Sequence, residues 1–238
     1  MLAAFAAAAW PQGNMGDMPG MKMPSDGGSL NTATSAMEHE HMDMGPHMKM
    51  TALRPASAAD QQRAQQIVIE ARSALEKYTD YHVALADGFK IFAPNIPSKM
   101  KHFTNYKYAF EAAREFNPEH PTSLLYEKQG DDYKLVGAMF TAPRTLTEDE
   151  LNARVPLSVA QWHEHVNLCF PPKGRGAEMF TKNPEFGLAG SIATEDACTQ
   201  AGGRWVPQVF GWMVHFYPWE KTPDEIWSVE RQAARHSD

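Results

Sequence analysis

Large apolar residues are almost missing from position 13 to position 56 and become periodic immediately afterwards. From Ser57 onward Ile67, Val68, Ala71, Leu75, Tyr78 and Val83 recur at three- and four-residue spacing, which predicts a helix running to about Ala86. Ser57 or Asp60 is its expected cap and Gly88 its stop. After the Pro94 and Pro97 connection the pattern predicts a strand from Met100 to Asn105, a helix from Tyr106 to Phe116 and a strand from Ser123 to Lys128. Gly130, Asp131 and Asp132 mark a hairpin turn, and the returning strand runs from Tyr133 to Thr141. Thr147 with Glu150 three residues on reads as a capping box for a short helix. A strand from about Ala160 to Cys169 follows, then a Gly/Pro-rich loop from Pro171 to Ser191. A helix capped by Thr194 and ended by Gly202 and Gly203 comes next. The last strand, Val209 to Tyr217, is apolar on both faces and so is expected inside the sheet. These elements predict an α+β fold, an antiparallel sheet with helices on one side. The strand, helix, hairpin, helix, strand order over residues 100–169 matches a ferredoxin-like split unit.

The same contrast divides the chain of 238 residues into three parts. Residues 1–12 carry MLAAFAAAAW, a run of small apolar residues like the end of a signal peptide, without the basic start of one. Residues 13–56 hold too little apolar surface to offset ordering entropy and are expected to be disordered. Residues 57–238 form a single globular domain. No later stretch approaches 18 unbroken apolar residues, so the mature chain is expected to lack a membrane span. A net charge of −7 with no Lys/Arg cluster argues against a nucleic-acid partner or an anionic membrane surface.

The tail's polarity does not account for its sulfur. Nine methionines lie between Met15 and Met50, among glycines and prolines where no core forms, so gap-filling cannot explain them. Their densest stretch, MEHEHMDMGPHMKM, combines Met42, Met44, Met48 and Met50 with His39, His41 and His47. Thioethers select Cu(I), and imidazole accepts copper in either state as well as zinc. The tail is therefore expected to bind copper. In composition and spacing it resembles the Met/His-rich segments of periplasmic copper-resistance proteins, which implies a periplasmic or secreted setting and another periplasmic copper protein as a partner.

Histidines recur in the domain. A strand through QWHEHVNLC puts His163 and His165 on one face with Asn167 and Cys169, while Trp162, Val166 and Leu168 take the other. Glu164 then points away from both rings. His215 sits in FGWMVHFYPW with Met213 on its own face, and His102 opens another predicted strand. Three or four imidazoles from several strands would make an open site for copper or zinc. Solvent-facing or hydrogen-bonded histidines are the plain alternative. No HExxH or CxxCH motif is present.

Cys169 and Cys198 are the two cysteines, an even count without CxxC that favours a disulfide. Two buried thiols, or Cys169 as a metal ligand, are the other readings. The segments ALADGF, KHFTN, FNPEHPTSLLYE, KLVGAMF and QWHEHVNLC together resemble an uncharacterised family of exported bacterial proteins, a resemblance that implies one domain but no reaction. Three functions compete. The first is copper binding or buffering through the tail and a His site. The second is a metalloenzyme whose His102, His163, His165 and His215 hold a catalytic ion. The third is a metal-free module with a pocket of Trp162, Trp205, Trp212, Phe216 and Trp219.

Overall fold

The computed structural model describes residues 45–229. Helix α1 (Ala58–Leu75) starts at Ser57, whose hydroxyl accepts from the Asp60 amide while the Asp60 carboxylate reaches back to the Ser57 amide. The predicted single helix to Ala86 is broken. A 3-10 turn (Glu76–Thr79) follows α1, and Asp80 takes an extended conformation in which its carboxylate accepts from the His82 amide. A local cap competes with helix continuation there and restarts the chain as α2 (Tyr81–Ala86).

The strands are β1 (Met48–Met50), β2 (Lys90–Ile91), β3 (Met100–Thr104), β4 (Ser123–Gln129), β5 (Asp132–Ala142), β6 (His163–Phe170) and β7 (Arg204–Phe216). The shorter helices are α3 (Tyr106–Ala112), α4 (Glu148–Arg154), α5 (Glu195–Gln200) and α6 (Pro223–Ile226). Thr147 and Glu150 form the capping box of α4, and Thr194 caps α5. All seven strands join one antiparallel sheet in the order β1-β6-β7-β5-β4-β3-β2. The β-α-β-β-α-β order is present, yet β3, β4 and β5 are a simple meander and every pair is antiparallel, so the ferredoxin-like crossover pairing does not occur. As expected, β7 lies inside the sheet, and it begins at Arg204, earlier than its apolar pattern.

One face of the sheet carries the main core. Ile67, Ala71 and Leu75 of α1, Leu151 of α4 and Ile226 of α6 pack with Leu124, Phe140, Val214 and Phe216 of the strands. The α+β reading, with these helices on one side, follows from that packing. The other face holds a smaller cluster of Met100, Leu125 and Tyr217, joined by Val136 and Met139.

This second face is concave. His102 of β3 and His215 of β7 are separated by β4 and β5, roughly 14 Å of flat sheet at about 4.8 Å per strand. Their ring centres are 6.2 Å apart. Phe92, just past the β2 edge, likewise meets Phe210 of β7 at 5.8 Å. Only a sheet curled about this face brings such side chains together. The curl has a local cause in β7, where Phe210, Gly211 and Trp212 stand opposite the single Glu164 of β6. Phe210 takes the left-handed conformation (φ 64°), and a side chain at Gly211 would run into the Ala142 carbonyl. Such a bulge bends a strand and increases its twist.

The Cys169–Cys198 disulfide ties β6 to α5, and with Phe186 it forms a third cluster under the loop after Pro171. Closing its 29-residue separation contributes about 3 to 4 kcal/mol on the chain-entropy model.

The folded unit begins earlier than residue 57. Met48, Lys49 and Met50 pair with His165, Glu164 and His163, so the end of the Met/His-rich segment is an edge strand of the domain. The signal-like run of residues 1–12 and the segment 13–44 lie outside the described residues. Among the described residues no helix is long and apolar enough to cross a membrane.

Candidate metal centre

β6 positions the first two histidines. As strand periodicity requires, His163 and His165 share a face, their ring centres 5.8 Å apart. On β7 the residue opposite His163 is Met213, and His215 lies two positions further along the same face. The His163 and His215 rings are nearly parallel, with centres 5.0 Å apart. His102 reaches His215 from β3 across the curl. The result is a row in space, His165, His163, His215, His102, assembled from three strands. His163, His165 and His215 are buried, and His102 is partly exposed.

Two imidazoles sharing one ion, each nitrogen about 2.0 to 2.1 Å from it, have ring centres roughly 5 to 6 Å apart. All three neighbouring pairs in the row fall in or next to that range. The row is nevertheless not a single triad. Among the described residues no group of three or more His, Cys, Asp or Glu side chains is placed to hold one metal ion. The ring spacings therefore set the imidazoles in neighbouring pairs, with no third His, Cys, Asp or Glu converging on one point among the described residues.

His163 is the unusual member. Its ring is fully buried, and neither Nδ1 nor Nε2 has a hydrogen-bond partner among the described residues. Burial pushes its pKa down from 6.5 to about 3, with a smaller contribution from His165, so the ring is a neutral imidazole that offers a lone pair. Buried polar atoms are nearly always paired with protein or ordered water, and His163 joins the Trp162 and Trp212 indole nitrogens among those for which the described residues supply no partner.

Methionines surround the row. Directly opposite residues of an antiparallel pair share a face. Met50 of β1 and Met213 of β7 flank His163, Met48 stands opposite His165, and Met139 of β5 stands opposite His215. Met100 of β3 joins the cluster on this same face. Met139 and Met100 escaped the sequence reading, although KLVGAMF places Met139 at an alternating strand position; only the register with β7 reveals its neighbour.

The remaining candidates go elsewhere. His47 is held away from the row, Nδ1 2.9 Å from the Asn167 carbonyl and Nε2 2.6 Å from the Gly190 carbonyl, where it clamps β1 and the long loop to β6. Asn167 does not continue the His face. Its left-handed φ of 57° breaks the alternation, and its amide donates to the Pro46 carbonyl. Cys169 is in the disulfide, which removes it as a ligand. Glu164 points to the opposite face, as expected, with its carboxylate accepting from Gln208 and 3.5 Å from Lys49 Nζ. His39, His41, Met42 and Met44 lie outside the described residues. The five aromatics of the pocket reading separate. Trp162, Trp212 and Phe216 are in the helix-side core, Trp205 packs on the disulfide cluster and Trp219 is largely exposed, so they line no common cavity. His120 forms an unanticipated pair with Glu111, 2.7 Å from Nδ1, stacked on Tyr108 at 4.1 Å.

No family model, curated protein or solved structure matches the chain. Function must be read from the site's own chemistry.

Proposed function

We propose that this is an exported copper-binding protein, in which the Met/His-rich segment captures the ion and the concave face of the sheet holds it. The observation that carries the reading is His163, a neutral imidazole with two unpartnered nitrogens at the centre of a four-histidine row bordered by methionines. Thioether and imidazole together match copper better than any hard cation. The disulfide supports an oxidising compartment, in agreement with the signal-like start and the tail's resemblance to periplasmic copper-resistance proteins. Holding and passing on the ion fits better than catalysis. The rings at the centre of the row are buried, which suits an ion held by side chains better than a substrate.

The test is copper stoichiometry, measured without oxygen on the full-length chain with the ligands of the 13–44 segment replaced (methionines by Gln, His39 and His41 by Asn). One copper per chain is expected to remain, and His163→Leu in that background is expected to release it. A chain that keeps no copper once the segment is silenced would confine metal binding to the tail and refute the role of the sheet.

A further inference from the structure

We propose that the ion on the concave face is Cu(I), bound by the Met50 and Met213 sulfurs and one nitrogen of His163. The inference rests on the reading of that face as a copper site and specifies its ligands and oxidation state. Its basis is the register. Met50, His163 and Met213 occupy one cross-strand row through β1, β6 and β7, with His163 in the middle. Neighbours in such a row have Cβ atoms about 4.5 to 5.5 Å apart, within reach of two long, flexible thioether arms closing on a ring between them. Met213 is buried and Met50 half-buried in the edge strand β1, so the row opens at that edge of the sheet.

Charge selects the oxidation state. Among the described residues the row holds no carboxylate and no thiolate, since Glu164 faces the other way with Lys49 and Gln208 and both cysteines are oxidised. Desolvation cost rises steeply with ionic charge, so a neutral buried ligand set accepts one positive charge far more readily than two. Zn(II) and Cu(II) would need three or more nitrogen, oxygen or thiolate ligands around one point, and no such group exists among the described residues. Cu(I) accepts two or three soft ligands. Met48 and Met50 also repeat, inside the fold, the M-x-M spacing of Met42 and Met44. A Cu(I) ion can thus pass from tail to sheet by exchanging one thioether for another, without change of oxidation state.

The experiment uses the full-length chain with the 13–44 ligands replaced as above, titrated anaerobically with Cu(I) against bathocuproine disulfonate and separately with Zn(II) and Cu(II). One Cu(I) is expected to bind, with two sulfur and one nitrogen scatterers in its X-ray absorption spectrum. Zn(II) and Cu(II) are expected to bind at least roughly 100-fold more weakly. Met50→Leu with Met213→Leu, close in volume, is expected to weaken Cu(I) by roughly 100-fold while the metal-free chain melts as before. Met50→Leu alone, at the half-buried edge, is expected to lose roughly tenfold and serves should the double variant misfold. Cu(I) binding unchanged in the leucine variants, a nitrogen-only spectrum, or preference for a divalent ion would overturn the ligand set while leaving a metal site in place. Retention of no metal would instead overturn the reading on which the inference stands.

Discussion

At the residue scale, His163 is a cost to the fold, since the described residues give its two buried nitrogens no partner. Two buried nitrogens without partners carry a desolvation penalty of about 1 to 3 kcal/mol. His163→Leu removes both atoms and keeps an apolar group in the site. The metal-free variant is therefore expected to be at least as stable as the parent in urea, by up to about 1 kcal/mol, although its sheet site is expected to lose copper. A loss of several kcal/mol would show the ring to be a structural residue instead. The same ring makes the metal-free protein acid-sensitive. It stays neutral when folded, with a pKa of about 3, whereas the unfolded chain protonates it near 6.5. The unfolded state thus binds the extra proton, and this contribution is fully present above about pH 6.5 and is lost as pH falls toward 3, at about 1.4 kcal/mol per unit. Urea midpoints of parent and His163→Leu are expected to diverge from about pH 7 to about pH 5, the parent weakening faster. Parallel curves would contradict a neutral buried His163.

At the level of elements, the bulge in β7 and the edge strand β1 shape the site. Gly211→Ala forces a side chain against the Ala142 carbonyl, so it is expected to destabilise by roughly 1 to 3 kcal/mol and to weaken copper binding through loss of the curl. Thr51 anchors β1 by donating its amide to the Trp162 carbonyl and accepting the Trp162 amide at its hydroxyl. A chain beginning at Ala52 loses both bonds, the β1 ladder and the His47 clamp. It is expected to be less stable by about 2 to 4 kcal/mol than one beginning at Gly45, a difference that denaturant melts would read directly. Much of this scale was legible in the sequence. The Thr147/Glu150 box, the Gly130 hairpin and the apolar run of β7 are local signals, and each appears in the fold where its pattern points. The break at Asp80 was hidden because helical spacing continues straight through it. β1 was hidden for a deeper reason: MKM between Gly/Pro-rich and polar segments has no apolar periodicity of its own, and becomes a strand only because β6 offers it an edge. The pairing of Met50 with His163 and Met213 is likewise a property of register, to which no local pattern gives access.

Over the whole molecule, soft ligand residues lie in two places, the 13–44 segment and the concave face of the sheet. His163 and His165 were recognisable from the strand period, and His102 and His215 as candidates, but the curl that brings His102 to His215 comes from long-range pairing. The disulfide holds the loop beyond β6 beneath its own small core, outside the row. Replacing both cysteines by alanine is expected to lower stability by about 3 kcal/mol while leaving copper stoichiometry unchanged, as thermal melts and metal analysis of variant and parent would show. The most direct test of the central claim is to locate the ion. Crystals of the full-length chain loaded with Cu(I) under anaerobic conditions and measured at the copper absorption edge are expected to give an anomalous peak beside His163, on the face shared by Met50 and Met213. A peak absent from that face, with copper elsewhere in the chain, would contradict it.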